Sequence, residues 1–396
     1  MKKTLIAVAA LVATGAFAQS SVTIRGSFDT GLVSYDMKGA KVTGVGSNLS
    51  STSAFFFEGT GDLGGGLKAN FRLESDFNTA SVGGNTGTTA NVASSAGAAG
   101  GSSGITNGTA STFGNGEVFV ALDGGFGNLK LGAMNNLGLE QHLTAQPFGT
   151  AIGSGFRATS TSAANAGATA LVRNDNTFAY TTPSFSGITG TWIARKQQTN
   201  SSALLNTNYS ASLGVQQQSA VSEVGLRYNA GPLNVIASRS GEDATNVQAT
   251  TAGTGAPKFG NKGTLTVLGA NYNLGALTLY AGYQNQKSDN GAVAQSATTG
   301  VNVGAKYVMG VNTFMANAGR LSGANTAANV AASNNNSASL IGLGYEYALA
   351  KNAAVVARYE RIGDNAALGV AATTGYAAVA GNNDRTRMGV GIRYNF

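Results

Sequence analysis

The chain has no cysteine, only four prolines in 396 residues, one histidine and one tryptophan. Without cysteine there is no disulfide and no thiolate metal site, so the fold rests on its own packing and hydrogen bonds. Charge is scarce too: Asp, Glu, Lys and Arg make up 11% of the chain, against about 25% in an ordinary soluble domain. Beyond the first twenty residues no apolar run approaches the roughly 20 residues that a membrane-spanning helix needs. A lone His142 makes a Ser-His-Asp hydrolase a poor fit, since no serine elbow accompanies it. No spacing of acids and histidine suits a metal ion, so no cofactor is expected.

The chain begins "MKKTLIAVAALVATGAFAQ". Lys2 and Lys3, the apolar run Leu5 to Val12 and the small-x-small site Ala16-Phe17-Ala18 have the form of a secretory signal peptide. The expected organisation is therefore a leader over 1–18 and a single mature unit over 19–396. Without Lys2 and Lys3 the mature chain keeps a small basic excess. Its cations are scattered singly along alternating segments (Arg25, Arg72, Arg227, Lys306, Arg358, Arg393), which argues against nucleic acid as a partner.

Glycine, by contrast, reaches 57 residues, and alternation with a period of two recurs throughout. In "VTIRGSFD" Val22, Ile24 and Phe28 oppose Arg25, Ser27 and Asp29. In "LKANFRLES" Leu67, Ala69, Phe71 and Leu73 oppose Lys68, Asn70, Arg72 and Glu74. "VSEVGLRYN", "LTLYAGYQN", "IGLGYEY", "VVARYE" and the closing "RTRMGVGIRYNF" repeat the pattern. A period of two is a strand with one apolar and one polar face. Connections alternate as well. Gly-rich or Pro-containing turns such as "GDLGGG" (61–66), "DGGFGN" (123–128) and "NAGP" (229–232) alternate with long Ser/Thr/Asn/Ala/Gly stretches near 37–50, 78–112, 135–172, 198–220, 242–262, 288–299, 322–337 and 363–384. Eight long and seven short connections join sixteen strands in an up-and-down meander. The "GTGDLG" motif (59–64) is followed by a strand, not a helix, and so reads as a turn rather than a nucleotide site.

A soluble β-sandwich would also alternate, but its inner positions would be bulky and apolar. Here the polar face carries Arg, Glu, Lys and Gln, which suits a water-filled lumen. The apolar face ends repeatedly in Tyr or Phe, as at Tyr228, Tyr272, Tyr283, Tyr347, Tyr359, Tyr394 and Phe396, like the aromatic girdles of a transmembrane barrel. Lipid offers no partner to open backbone groups, so such strands close into a ring, and about sixteen leave an aqueous channel. The expected fold is an all-β, 16-stranded antiparallel transmembrane barrel with short turns at one end and long loops at the other.

The segments "QSSVTIRGSFDTGL", "GDLGGGLKANFRLESDFN", "FVALDGGFGNLKLG", "QPFGT", "VRNDNTFAYTTPSFSG" and "GIRYNF", in that order, resemble general diffusion porins of Gram-negative outer membranes, in the β-proteobacterial branch. The resemblance implies a homotrimer, passive diffusion of small hydrophilic solutes and ions, and a third long loop (135–172) folded inward with Gln146, Pro147, Phe148 and Gly149 at its motif. It implies contact with outer-membrane lipid and lipopolysaccharide, and makes Phe396 the signal read by the outer-membrane assembly machinery. The chain also departs from the family pattern. Two of the family's wall arginines are replaced by Ala54 and Gly116 while Arg173 remains, Ala133 replaces a further one, and the acid of the loop motif is gone. A weaker transverse field follows.

Arg25, Arg72 and Arg173, with Glu140 and Arg157 in the inward loop, are the candidate pore-lining and constriction residues. Turning an arginine away from lipid avoids about 2–4 kcal/mol, which alone would place it inward. A surplus of lumen cations would in addition favour anions, so a weak to moderate anion preference is expected. The alternatives are a substrate-selective channel for organic anions and a plugged structural or adhesive barrel.

Overall fold

The computed structural model describes residues 21–37, 40–80, 113–155, 173–200, 216–247, 258–289, 296–323, 336–364 and 384–396. The expected leader (1–18) and Arg157 lie outside them. Seventeen strands form one antiparallel sheet. The first half of the chain holds β1 (Ser21–Met37), β2 (Ala40–Ser47), β3 (Ala54–Gly64), β4 (Leu67–Asp76), β5 (Val118–Gly124), β6 (Gly127–Asn135), β7 (Arg173–Thr181) and β8 (Ile188–Asn200). The second holds β9 (Gln216–Ala230), β10 (Leu233–Val247), β11 (Lys258–Asn273), β12 (Leu277–Asp289), β13 (Ser296–Met309), β14 (Asn312–Gly323), β15 (Asn336–Ala350), β16 (Ala353–Asp364) and β17 (Arg385–Asn395). One helix, α1 (Leu137–Thr144), follows β6.

Seventeen strands make sixteen staves. The outer half of β1 pairs with β2, from Thr30↔Ser47 to Met37↔Ala40, and its inner half pairs with β3, from Ser21↔Thr60 to Ser27↔Ala54. Thus β2 and β3 are two pieces of one stave, interrupted by residues 48–53. The stretch 37–50, expected as a long connection, is therefore mostly strand. The alternation is masked there because Gly44 and Gly46 occupy lumen-facing positions. A Cβ on Gly46 would lie 2.7 Å from Val33 Cγ2, so the glycine gives Val33 its room.

The ring closes by pairing β1 with β17, from Ser27↔Asn395 to Met37↔Arg385. Gly26 and Phe396 then exchange both backbone hydrogen bonds, each 3.0 Å. The Phe396 ring lies over Gly26, where any Cβ would collide with it, and sits 5.9 Å from Phe28, which in turn meets Phe77 at 5.0 Å.

The alternation sorts cleanly. Val22, Leu32, Val120, Leu131, Val224, Leu226, Val303, Val390 and Ile392 are exposed on the outside, whereas Val33, Val356, Ile236 and Ile362 are buried on the inside. An apolar exterior over a ring with no open edge is the arrangement that lipid requires. The buried apolar groups gather inside the barrel, under two segments that enter the lumen.

Candidate functional site: the lumen and its two inward segments

Arg25, Arg72 and Arg173 share one wall. Arg25 grips Glu58 through Nε and Nη2 at 2.7 and 2.9 Å. Arg72 reaches Glu74 at 2.9 Å, Glu117 at 3.4 Å and Glu58 at 3.5 Å. Arg173 meets Glu74 at 2.8 Å and Asp76 at 3.5 Å. The guanidiniums of Arg25 and Arg72 also face the Phe56 ring, at 4.1 and 4.7 Å from its centroid. These cations are therefore met by four carboxylates of the same wall. The departures noted in the sequence fit this arrangement: a Cβ at Gly116 would overlap the Glu74 side chain. Glycine stands there because an acid fills the space.

The second feature is the segment that follows β6. Asn136 caps α1 by accepting from Leu139 N at 2.9 Å, and Glu223 of β9 accepts from Leu137 N at 2.8 Å. Open N–H groups and the positive end of the helix dipole make this a favourable place for a carboxylate. Leu137 packs with Met134, Ala179, Ile193 and Ile236. At the other end, Asn271 and Asn302 donate to the carbonyls of Thr144 and Ala145 at 3.0 and 2.7 Å. Gln146 accepts from Phe148 N at 2.7 Å and donates to the Gly149 carbonyl, which fixes the turn in which Gly149 has φ 62°. Phe148 is buried beside Arg358, 5.7 Å from ring centroid to guanidinium. Farther on, Glu360 accepts from Gly153 N and Gly155 N, both at 3.0 Å. Asn317 donates to the carbonyls of Gly153 and Ser154, both at 3.4 Å. Glu140 pairs with Arg227 at 2.7 Å.

This segment lies against the wall because the wall lacks side chains beneath it. A Cβ on Gly225 would sit 2.7 Å from Leu137, on Gly269 2.9 Å from Gln141 O, on Gly282 2.8 Å from Ala145, on Gly304 2.9 Å from Pro147 and on Gly344 2.7 Å from Phe148. On Gly342 it would overlap the Gly153 backbone. The polar-face glycines of β9, β11, β12, β13 and β15 thus form a track in which the chain from 137 to 153 is seated. In sequence they pass as ordinary members of a polar face; only their positions relative to the segment reveal them.

His142 stands in the last turn of α1. Burial pushes its pKa down to about 4, against a hydrogen bond with the Gly149 backbone and the charge of Glu360, both of which favour the protonated form. It is therefore a neutral packing group at pH 7.

The third feature is the interruption between β2 and β3. Asp29, fully buried, accepts from the backbone N–H groups of Leu49 (2.7 Å), Ser50 (2.8 Å) and Ser51 (2.9 Å), and from the Ser50 hydroxyl (2.5 Å). This cradle points Leu49 into a buried cluster with Val33, Ala354, Val356 and Ile152, the last supplied by the segment after α1. The two inward segments thus meet inside the barrel. Nearby, Arg393 links Ser50 (3.2 Å) to Glu346 (2.8 Å). Glu346 also pairs with Arg358, and Arg387 pairs with Glu360 at 2.6 Å.

The structure therefore brings Arg25, Arg72 and Arg173 together. It places Glu140 on α1 opposite Arg227, and Gln146 to Gly149 in the turn after α1. The lumen carboxylates Glu58, Glu74, Asp76, Glu117, Glu223, Glu346 and Glu360 and the buried acceptor Asp29 are not among the sequence candidates. Their signal was present all the same: each is an acid on the polar parity of a strand, save Glu117, which stands one residue before β5.

A closed antiparallel barrel, apolar outside, charged inside and entered by wall-hugging segments, is the architecture of a pore-forming outer-membrane protein. The Gram-negative porin family profile matches residues 4–367, and the chain belongs to that family. It is 30% identical over 279 residues to an outer membrane porin protein of Bordetella pertussis, and 37% identical over 193 residues to outer membrane porin protein 32 of Delftia acidovorans. These alignments cover 63% and 47% of this chain, and the chain spans 62% and 47% of the two relatives. Among solved structures it is similar to an anion-selective porin from Comamonas acidovorans, with 25% identity, a TM-score of 0.64, and coverage of 96% of this chain and 100% of that one. The fold is also shared with OmpT of Vibrio cholerae at a TM-score of 0.60 and 14% identity, over 95% of this chain and 98% of that one.

Proposed function

We propose that the protein forms a water-filled channel for passive diffusion of small hydrophilic solutes and ions, with a weak to moderate preference for anions. It would work as a homotrimer, exported by cleavage before Gln19 and delivered to the assembly machinery through Phe396. No covalent chemistry is involved: a solute passes the inward segments, biased by lumen charge. The observation that carries the anion preference is an asymmetry between walls. Arg25, Arg72 and Arg173 are matched by Glu58, Glu74, Asp76 and Glu117. On β15–β17, Arg358, Arg385, Arg387 and Arg393 are set against three acids of the same strands, Glu346, Glu360 and Asp364. The surplus is small, so strong selectivity is not expected. The similar structure from Comamonas acidovorans is that of an anion-selective porin, which points the same way.

The test is single-channel recording in a planar bilayer with a KCl gradient. Ohmic steps in threes with a chloride-favouring reversal potential are expected. A cation-favouring reversal keeps the channel and overturns the charge assignment. Absence of steps, with no swelling of protein-loaded liposomes in isotonic sugar, returns the plugged barrel.

A second reading, a channel selective for organic anions, draws on the two guanidiniums at Phe56. Aromatic and cationic groups side by side suit a planar carboxylate. Saturable block of conductance by aromatic carboxylates, absent in Phe56→Leu, would favour it; permeation by size alone would remove it.

A further inference from the structure

Three lumen-facing positions near the seam of the ring break the polar rule. Ala354 and Val356 share the inward parity of Arg358 and Glu360 on β16, and Val33 shares that of Asp29 on β1, yet all three are apolar and buried. A water-filled lumen would leave such side chains wet, so their burial means that protein covers them. Leu49 and Ile152, each 0% exposed, complete the cluster. The first comes from the break between β2 and β3, the second from the segment after α1. The wall makes room for the leucine: a Cβ on Gly389, in register with Val33, would lie 2.9 Å from Leu49 Cδ2. The device that seats the longer segment is thus repeated for a single side chain.

Leu49 stands on a stiff base. Asn48 has φ 62°, and its side-chain oxygen accepts from Ser53 N at 2.7 Å, closing the turn over 48–53. Asp29 N donates to Ser53 Oγ at 3.0 Å, beside the N–H groups that the Asp29 carboxylate already holds. Ile152 stands on a looser one. The hydrogen bonds of residues 149–152 stay within the segment, to Gln146, Phe148 and Ser154. The ties to Glu360 and Asn317 begin only at Gly153. Between Phe148 and Gly153, then, the apolar contact of Ile152 is what pins the chain. A polar route runs alongside: Arg393 joins Ser50 Oγ (3.2 Å) to Glu346 (2.8 Å), Glu346 pairs with Arg358, and Phe148 lies against the Arg358 guanidinium. Both ends of this short stretch are referred back to the break at 48–53.

We infer that Leu49 is a positioning residue for the passage. Through the cluster it shares with Ile152, it couples the break at 48–53 to residues 149–152, so that a buried leucine sets how far that stretch stands into the lumen. The inference rests on the channel reading, since it concerns the width of the path and not its existence.

Single-channel recording of Leu49→Ala, Ile152→Ala and the double variant in a planar bilayer tests it, with thermal melting measured alongside. Emptying a buried site shifts a docked–released balance strongly, so each single variant should spend at least about tenfold more time than wild type at an altered conductance level. The double variant should go no further than the stronger single one, because both changes break the same contact. Leu49→Met, which refills the volume, should restore the wild-type trace. If Leu49→Ala does not fold, Leu49→Val and Ile152→Val make the same comparison with smaller shifts. A lowered melting temperature with wild-type conductance would make Leu49 a packing group alone and overturn the inference. So would effects that simply add in the double variant. Wild-type bilayers without any conductance steps would instead remove the channel reading, and this inference with it.

Discussion

The two segments that enter the lumen are held in opposite ways. Residues 48–53 hang from one hub: a single buried carboxylate, Asp29, satisfies three successive backbone N–H groups and one hydroxyl. The segment from 136 to 155 is tied at many points, by Glu223, Gln141, Asn271, Asn302, Asn317 and Glu360, each serving one or two groups. Hub and distributed attachment solve the same problem, since buried backbone groups must be paired. They differ in how they fail. Losing the hub orphans a whole turn at once, while losing one distributed tie leaves the others in place.

Removing the hub should therefore give the largest effect. Asp29→Ala leaves the buried N–H group of Leu49 without an acceptor, at about 1–3 kcal/mol, together with the half-buried N–H groups of Ser50 and Ser51, and frees Leu49 from the cluster it shares with Ile152. Loss of the folded barrel on heat-modifiability gels, or a sharply lowered melting temperature, is the expected outcome. Asp29→Asn keeps one acceptor oxygen and should fall between Ala and wild type. If Asp29→Ala melts like wild type, the hub picture is wrong.

Acid acts on the distributed segment as a whole. A group whose folded pKa is depressed binds protons less readily when docked than when released, so docking weakens as pH falls. For His142 the window runs from the ordinary value of 6.5 down to about 4. Docking is unaffected above that window, and the full penalty, at most about 3 kcal/mol, is reached below it. Conductance steps recorded from pH 7 to pH 4 should become noisier as the segment loosens, and His142→Gln should remove that part of the dependence. A wild-type trace unchanged at pH 4 would exclude it.

Strand parity was legible in the sequence almost everywhere, because a bulky apolar residue at every second position leaves little ambiguity. It failed over 40–47, where Gly44 and Gly46 carry no bulk to alternate. The inward course of the third long loop came from family resemblance. Its seat did not, because a track of glycines drawn from strands as far apart in the chain as β9 and β15 has no local signal. The charge balance of the arginine wall was hidden for a related reason. Arg25 and Glu58 are 33 residues apart, and Arg173 and Glu74 are 99 apart, so their pairing exists only once the strands that carry them lie in one sheet.

The track predicts intermediate effects. Gly304→Ala would press on Pro147 and Gly344→Ala on Phe148. Overpacking of this kind costs about 1–3 kcal/mol if nothing moves. Here the segment can lift into the lumen instead, so conductance should fall while thermal stability changes little. Gly241→Ala, with nothing near its added methyl, is the control. Lowered stability with unchanged conductance would mean that the wall yields rather than the segment.

The smallest effect belongs to a tie of the segment that faces water. Glu140 and Arg227 meet at 2.7 Å, but their side chains are 40% and 30% exposed. An exposed ion pair is worth at most about 1 kcal/mol and is screened by salt. Glu140→Gln should therefore leave melting nearly unchanged, since α1 keeps Glu223 at its start and Asn271 at its end. What changes is charge: the substitution removes an anion beside the passage and leaves the Arg227 guanidinium uncompensated. The reversal potential should shift toward chloride, more at low ionic strength than at high. A shift in the opposite direction would mean that Glu140 faces the wall and not the path of the ions, and that the segment's charge plays no part in selection.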